Sequence, residues 1–384
     1  MLYTYSFANA KRDLADIMST VIKDEPRFIS NFRPGSDAVQ RKHEWVEDQL
    51  SGRGFHALAI DGNTVSVSAS DAAKAVPGML IAAKEDPALY RISAVSGNTL
   101  TVEFAAANGS STSSVADLPE NTEFIIVSTP MTEGSANGDG DETYKCSQLE
   151  WNATQIFRKE IVISGSALAV TLNGSADNQL NRQTAFALSE LARDLNRVAL
   201  FGRRVEPAPG VHGEAGGLYF FGTRENSLSI DAGKTRLDSF SINDAAQKVL
   251  AEGGDPMQIL CSPGQARVIS NEYRDRIQIL RSDDRRGAYV AVIVNEINGR
   301  GMTIMADPDV PDCDAWILDP QCFALSNLNG RAITDTDATP KGFDGIRRVA
   351  IGDLTFEFRN VAQRCCRLTN LLPSAEAIAT LRNA

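Results

Sequence analysis

Residues 178–201 read NQLNRQTAFALSELARDLNRVALF. Apolar residues recur in this stretch at spacings of three and four, which predicts one long amphipathic helix. The apolar stripe consists of Leu180, Ala187, Leu188, Leu191, Leu195 and Val198. Asp177 or Asn178 can cap the start, Gly202 suits the end, and a helix of this length is a rod of about 36 Å. Any core-facing helix shows such a stripe, so the pattern alone predicts no function.

A block of strands precedes this helix. From about Gly54 to Pro130 the chain consists of short β-branched runs separated by turn residues. Asp61-Gly62-Asn63 and Ser96-Gly97-Asn98 are hairpin signals, because glycine and asparagine tolerate the positive φ of tight turns. We therefore predict a small β-barrel or sandwich inserted between flanking elements.

The segments around this block are predicted to be mostly extended. Residues 28–49 are mixed and polar, which indicates an extended arm. The glycine- and acid-rich TEGSANGDGDET at 132–143 is typical of a loop tip, and residues 144–164 follow as a return strand. Residues 13–23 are predicted to form a short amphipathic helix, whose apolar positions are Leu14, Ile17, Met18, Val21 and Ile22.

The part of the chain after the long helix is predicted to be α+β. Ser241 and Asp244 are placed to start a helix that ends at Gly253-Gly254. MQILC at 257–261 predicts a strand, and Ser262-Pro263 opens another helix.

Further strand signals close the chain. AYVAVIVNEI and GMTIMA flank Asn298-Gly299, which is a strong hairpin signal. RRVAIGDLTFEF is predicted to turn at Gly352-Asp353, and QRCCRLTNLL supplies a final strand. Cys365 and Cys366 would point to opposite faces of that strand.

Composition limits the class of protein. The 384 residues suffice for about two or three domains at ~150 residues each, and no run approaches the ~18 apolar residues of a membrane span. The amino terminus lacks the pattern of a secretory leader and the six cysteines form no CxxC pair, so we expect a cytosolic protein with reduced thiols. The net charge of −11 argues against tight wrapping of nucleic acid but allows a passive container.

The chain offers few groups for catalysis. Its three histidines, His43, His56 and His212, have no partner motif, and we assign no catalytic, cofactor-binding or metal-ligating residue. Ala232-Gly233-Lys234-Thr235 resembles the end of a phosphate-binding loop, but Leu228 stands where that loop requires glycine.

Acidic clusters are the remaining candidates for a metal site. The densest consists of Asp307, Asp309, Asp312 and Asp314, whose oxygens suit a hard cation such as Ca²⁺. The prolines between them favour the plainer interpretation of a turn-rich loop. An alternation at residues 137–148 has the spacing of an EF-hand but lacks the glycine and the final glutamate of such a loop.

The order of elements resembles that of a known family. An arm, an excursion of extended strands, a lone long helix and a closing α+β region are similar to the major capsid proteins of tailed phages with the Hong Kong 97 fold, in a branch with a β domain inserted in the E-loop region. The resemblance covers nearly the full chain and contains no catalytic motif. The phrases that carry it are HEWVEDQL (43–50), YRISAVSGNTLTVEF (90–104), EIVISGSALAV (160–170), AEGGDPMQILCSPGQARVIS (251–270) and IGDLTFEFRNVAQRCCRLTNLL (351–372).

This resemblance implies an α+β capsid fold with an N-terminal arm, an E-loop, a spine helix, peripheral and axial domains, and an inserted small β-barrel or sandwich. The implied boundaries are 1–53 for the arm and the start of the E-loop, 54–130 for the inserted domain, 131–164 for the E-loop tip and return strand, 165–204 with 340–384 for the peripheral domain including the spine helix 178–201, and 205–339 for the axial domain.

The function implied by the resemblance is structural and not enzymatic. The chain would be a major capsid protein that self-assembles through pentamers and hexamers into an icosahedral shell around double-stranded DNA, without binding the DNA specifically. Scaffold, portal and decoration proteins are the other expected partners, and no cofactor or membrane is implied. The expected location is the virion capsid, assembled in the bacterial host cytoplasm.

Three other functions stay open. An encapsulin-like nanocompartment shell has the same fold and encloses protein cargo. A metal-dependent hydrolase would centre on Asp307–Asp314. A carbohydrate-binding module at residues 54–130 would need exposed aromatic side chains, and the block offers only four: Phe55, Tyr90, Phe104 and Phe124.

The resemblance also raises the question of covalent cross-linking. The type member joins an E-loop lysine to an asparagine of a neighbouring subunit, helped by a nearby glutamate. The presumed loop tip at 132–143 contains no lysine, and Lys145 and Lys159 lie on the return strand. Asn360, in the closing hairpin, is the asparagine to compare with the cross-linking asparagine of the type member. We therefore predict a shell without covalent chainmail, held by apolar burial and by charge pairs around residues 158–160.

Overall fold

The computed structural model describes residues 26–47, 54–131, 133, 148–170, 179–224, 227–272 and 292–383. The chain divides into two compact units, one formed by Met1–Trp45 with Leu149–Ala384 and the other by Val46–Gln148. The predicted helix at 13–23, the loop tip at 132–143 and the capping residues Asp177 and Asn178 lie outside the described residues.

The described residues form both strands and helices. The strands are β1 Arg33–Pro34, β2 Lys42–Glu47, β3 Gly54–Asp61, β4 Thr64–Val67, β5 Leu80–Ala83, β6 Asp86–Ser96, β7 Thr99–Ala106, β8 Glu123–Ser128, β9 Gln148–Ala153, β10 Gln155–Ser164, β11 Leu228–Asp231, β12 Gln258–Cys261, β13 Val292–Val294, β14 Gly301–Ala306, β15 Ala315–Leu318, β16 Phe323–Asn327, β17 Thr334–Asp337, β18 Gly345–Phe358 and β19 Cys366–Thr369. The helices are α1 Ala69–Ala72, α2 Gly165–Ala169, α3 Gln179–Phe201, α4 Leu218–Gly222, α5 Ser239–Ala251, α6 Pro263–Glu272, α7 Val361–Arg364 and α8 Ser374–Asn383.

The unit Val46–Gln148 contains the predicted inserted domain, which is a closed β-barrel with strand order β3-β4-β7-β6-β5-β8. The two predicted hairpins are confirmed, because Gly62-Asn63 joins β3 to β4 and Gly97-Asn98 joins β6 to β7, with both glycines at positive φ. Strand β8 closes the barrel by pairing with both β3 and β5. Alternate side chains point inward and form one apolar core.

Strand β18 is the centre of a five-stranded sheet in the other unit. It pairs with β10 on one side and with β16 and β17 on the other, and β1 adds to β16 in parallel. The predicted long helix is confirmed as α3, which packs on β10 and β18. Its buried apolar residues are Ala187, Leu191, Leu195, Ala199 and Leu200, whereas Leu188, which the periodicity placed in the stripe, is exposed.

The predicted turn at Gly352-Asp353 is wrong, because β18 continues through both residues. A Cβ added at Gly352 would lie 2.8 to 3.0 Å from Ile333 Cγ1, Cα and N. Ordinary Cβ contacts are longer, so the glycine permits close approach of a neighbouring segment within a strand.

A second sheet has six strands in the order β11-β19-β15-β12-β14-β13. The predicted hairpin at Asn298-Gly299 is confirmed, since β13 and β14 are antiparallel with Val294 opposite Gly301. Strand β19 lies in this sheet beside β11 and β15, and α8 packs against α6. Strand β19 therefore belongs to this sheet, and α8 lies beside a helix of the same region.

Two smaller corrections concern helix ends. Helix α5 starts at Ser239 and not at Ser241, because the Asp238 carboxylate accepts the Ser241 N–H at 2.9 Å and Ser241 Oγ accepts the Asp238 N–H at 3.2 Å. The last strand starts only at Cys366, because the four residues before Cys365 form α7.

The expected divergence of the two adjacent cysteines is confirmed. Cys365 lies in the apolar core shared by α3 and β18, and Cys366 lies in the core of the six-stranded sheet. Both side chains are buried.

Candidate functional site

The described residues hold no constellation that fits a reaction, so the candidate functional features are the extended segments and the contacts that fix them. The predicted arm is anchored at Phe28 and Ile29. The Phe28 N–H donates to Asp307 Oδ2 at 3.2 Å, and the Ile29 N–H donates to Asn196 Oδ1 at 3.1 Å. Asn196 Nδ2 also donates to Asp307 at 3.0 Å, so one buried amide of α3 connects the arm to the loop after β14.

Aromatic packing reinforces this anchorage. Phe28 is 1% exposed and meets Phe32 and Phe323 edge-on, with ring centroids 5.0 and 5.5 Å away. Phe32 also contacts Phe356 and Phe358 of β18. Such edge-to-face pairs add to the free energy of burial, so the arm is part of the core.

The ribbon formed by β2 and β9 is tied to the same unit through Glu150. Its carboxylate accepts hydrogen bonds from Arg204 and Arg224, and the Arg204 guanidinium stacks 4.2 Å from the Trp151 ring centroid. Partial burial alone would raise the pKa of Glu150, but hydrogen bonds from Arg224, from the Trp151 N–H and from Arg204 outweigh burial and lower it. Strand β9, which would form one side of the base of an E-loop, is therefore fixed at Glu150 and Trp151.

A buried glutamate fixes the other strand of the ribbon. Glu357 of β18 is 1% exposed at its side chain and accepts hydrogen bonds from His43 Nε2 at 2.8 Å, Arg359 Nε at 2.8 Å and Ser326 Oγ at 3.2 Å. Burial would raise the pKa of this carboxyl, and the hydrogen bonds from His43 and Arg359 lower it below its ordinary value. Among the three histidines, His43 thus has a structural partner that sequence spacing did not reveal.

The charged residues of β10 pair within the chain. Arg158 binds Glu160, and Lys159 Nζ lies 2.6 Å from Asp194 Oδ2 and 3.8 Å from Glu190 on α3. Asn360 lies in the left-handed conformation just before α7, while Lys145 is outside the described residues.

The acidic cluster at 307–314 is divided among several separate contacts. Asp309 accepts from Arg197 Nε at 3.0 Å. Asp312 accepts the Ser374 N–H at 2.6 Å, and Asp314 accepts from Arg367 at 2.6 Å and from the Tyr219 hydroxyl at 3.0 Å. Within the described ranges, no three His, Cys, Asp or Glu side chains are grouped to hold a metal ion.

The other candidates from sequence are similarly occupied by local structure. Gly233 and Lys234 have positive φ, and the Thr235 hydroxyl donates to the Ala232 carbonyl at 2.7 Å, so this segment is a tight turn after β11. In the barrel, Phe55, Tyr90 and Phe124 are buried in the core, and Phe104 is 42% exposed.

No helix in the described part of the chain combines the length and the apolar character needed to cross a membrane.

Three comparisons with known proteins relate this architecture to others. A family model described as SU10 major capsid protein matches residues 2–372. No curated protein matches the chain. Among solved structures, the capsid of cyanophage A-1(L) is similar over 97% of this chain and 100% of its own, at 10% identity and a TM-score of 0.55.

Two other solved structures are less similar. A chain from Mycobacterium phage Bobi covers 94% of this chain and 95% of its own, at 12% identity and a TM-score of 0.47. The SrpI encapsulin complex from Synechococcus elongatus covers 58% of this chain and 76% of its own, at 9% identity and a TM-score of 0.42. At these identities the cyanophage match shows a shared fold, and the two weaker matches carry no argument of their own.

Proposed function

The chain belongs to the SU10 major capsid protein family, and from that premise we propose that its copies assemble into the icosahedral head shell that encloses the double-stranded DNA of a tailed phage. It is a major capsid protein with the α+β, Hong Kong 97-like fold, and the closed barrel of residues 54–128 is its inserted domain. Its location is the virion capsid. The family match over residues 2–372 is the single observation that carries the proposal.

We assign the parts of the fold as follows. The β2–β9 ribbon is the base of the E-loop, and α3 is the spine helix. The sheet centred on β18 forms the peripheral domain with α3, and the six-stranded sheet forms the axial domain. The pairing of β19 within the six-stranded sheet and the packing of α8 on α6 support a boundary between these two domains near Cys365.

The anchored arm and ribbon support a role in building a lattice. The arm is held to the core by Asn196 and Asp307. The ribbon is held to the core by Glu150 and Glu357. A subunit that contacts many neighbours needs contact area beyond its compact body, and segments fixed at one end supply that area with a defined direction.

The proposed role is structural and includes no catalytic step. The four aspartates at 307–314 each accept hydrogen bonds from protein donors, which does not favour a metal-dependent hydrolase. Three of the four barrel aromatics are buried, which does not favour sugar stacking on that domain.

We further propose that scaffold and portal proteins, and decoration proteins on the finished shell, are its partners and that assembly takes place in the host cytoplasm. The net charge of −11 supports enclosure of DNA without specific binding, because tight phosphate binding needs clustered Lys and Arg.

Electron microscopy and sedimentation of the purified protein, alone and with a candidate scaffold, test this proposal. We expect pentamers, hexamers and closed shells. Stable monomers in every condition, including with scaffold present, would contradict it. Shells purified from infected cells should yield DNA protected from nuclease; enclosed protein cargo without DNA would instead identify a nanocompartment.

A further inference from the structure

One edge of the sheet centred on β18 has no partner strand within the part of the chain that the structure describes. Among the described strands, β10 pairs only with β18. Residues 160–164 of β10 line a groove of about 770 Å³, whose other walls are α2 and α3. Successive side chains of a strand point to opposite faces of the sheet, so a groove on one face would contact only every second residue. Because five consecutive residues line this groove, the groove runs along the edge of the strand. An edge of this kind presents backbone N–H and C=O groups that an added strand can pair with.

The side chains of the groove indicate what it accepts. Ile161 and Ile163 form a small apolar cluster with Ala187, and Val170 on the opposite wall is 62% exposed. Phe186 of α3 also lines the groove. Its acidic members are Glu160 and Glu190, whose side chains are 39% and 54% exposed. An occupant should therefore be an extended segment with apolar side chains on one face and a basic residue near one end.

We propose that residues 2–7 of this chain, LYTYSF, add to β10 as a further strand and fill this groove. Tyr3, Tyr5 and Phe7 alternate with Leu2, Thr4 and Ser6, and aromatic and β-branched residues favour strands. Lys11 and Arg12 follow within a few residues and complement the acidic side chains of the groove.

The length of the chain before the described residues permits this docking. The structure describes the chain from Pro26, and Ile29 is anchored to Asn196 of α3, the same helix that forms a groove wall. The nineteen residue-to-residue steps from Phe7 to Pro26 span up to roughly 60 Å when extended, which exceeds the ~35 Å length of α3.

The register of side chains makes the proposal specific. Ile161 and Ile163 are buried on the face covered by α2 and α3, whereas Val162 on the other face is 49% exposed. Tyr3, Tyr5 and Phe7 should occupy the covered face beside Phe186, and Thr4 and Ser6 should face outward with Val162.

Hydrogen–deuterium exchange on the full chain as dissociated subunits tests this inference without requiring shell formation. In Tyr3→Asp/Tyr5→Asp, we expect the edge-facing amides of residues 160–164 to exchange at least ~10-fold faster than in the unaltered chain, because two charges cannot enter the apolar side of the groove. Thr4→Asp/Ser6→Asp adds the same charge on the outward face and should exchange like the unaltered chain. Equal exchange in all three proteins, or equal acceleration in both variants, would overturn the proposal.

A disulfide trap gives an independent readout. In a chain with Cys146→Ser and Cys313→Ser, Tyr5→Cys/Phe186→Cys should form a cross-link under mild oxidation by oxidised glutathione, whereas Thr4→Cys/Phe186→Cys should not. We expect a monomeric cross-linked product, because the strand comes from the same chain; a disulfide-linked dimer would place the strand in a second copy and would overturn docking within one chain. Absence of the cross-link with both pairs, or equal yield from both, would contradict the proposed register.

Discussion

Asp307 and Glu357 are buried carboxylates that connect the arm and the ribbon to the core. Each accepts several hydrogen bonds, Asp307 from Phe28 and Asn196 and Glu357 from His43 and Arg359. A buried charge that loses one donor keeps the cost of its desolvation, about 1 to 3 kcal/mol. Attachment of the extended segments therefore depends on a few polar contacts superimposed on aromatic packing.

Asn196→Ala should loosen the arm. The change removes the acceptor of the Ile29 N–H and a donor to Asp307. We expect this to lower the free energy of local opening of the arm by about 1 to 3 kcal/mol, which corresponds to roughly 5- to 150-fold more opening. Limited tryptic cleavage after Arg27 should accelerate by that factor. Asn181→Ala, at an exposed position of the same helix, is the control, and equal cleavage rates in both variants would contradict the assigned role.

Glu357→Gln should weaken the fold in a pH-dependent manner. A glutamate in an unfolded chain titrates near ~4.3, and the pKa of Glu357 is lower in the folded chain, so its stabilisation is present above that pH and is lost as the pH falls through the folded pKa. Urea unfolding at pH 7 should show a loss of about 1 to 3 kcal/mol, and the difference should shrink below roughly pH 4. Glu44→Gln, at a half-exposed site, is the control and should change the free energy of unfolding by less than ~0.5 kcal/mol. If Glu357→Gln lowered the free energy of unfolding by the same amount at every pH, this account would be refuted.

At the scale of elements, β18 organises its sheet. Its residues after Ile351 are buried on both faces, because β10 and β16 flank it while α3 and the arm cover it. A strand buried on both faces loses the alternation of apolar and polar residues. Gly352 of this strand has a packing role, because it lies against Ile333.

Gly352→Ala should destabilise this sheet. The new methyl group would meet Ile333 at 2.8 to 3.0 Å, including backbone atoms that cannot rotate away. Overpacking of this kind costs about 1 to 3 kcal/mol, to be measured as a lower urea midpoint. Thr334→Ala, on exposed β17, should leave the midpoint nearly unchanged, and a neutral Gly352→Ala would show that the neighbouring segment gives way.

At the scale of the whole molecule, the barrel should be removable. Gly54 of its first strand pairs with Ile125 of its last, so the chain enters and leaves the barrel on neighbouring strands and a short linker can join the two cut ends. Excision of residues 54–130 should leave a remainder that unfolds cooperatively, and the isolated segment should fold alone around its own core. Collapse of the remainder into an unfolded chain would show that the barrel belongs to the main core.

The mature shell should contain no covalent cross-links between subunits. The presumed loop tip has no lysine, and Lys159 is bound to Asp194 within its own chain. Particles boiled in denaturant should run as one band at 41.4 kDa. A ladder of resistant multimers would show that Lys145 or Lys159 reaches an asparagine of a neighbour.

The sequence by itself determined the elements whose causes are local. The stripe of Leu191 and Leu195 predicts α3, and Gly62-Asn63 and Gly97-Asn98 predict the barrel hairpins, because helix periodicity and turn conformation depend on residues a few positions apart. The order of these elements, with the quoted phrases, also indicated the capsid fold and the absence of a catalytic motif.

Tertiary structure alone decided the contacts between distant residues. A glycine such as Gly352 looks the same in the sequence whether the chain turns there or another segment packs closely against it. Only the position of Ile333 beside Gly352 distinguishes the two cases. The pairing of β19 with β11, the capture of Phe28 by Asp307 and the binding of His43 to Glu357 each join residues more than a hundred positions apart. No local pattern encodes such partners, because they are selected by which surfaces remain to be buried once the local elements have formed.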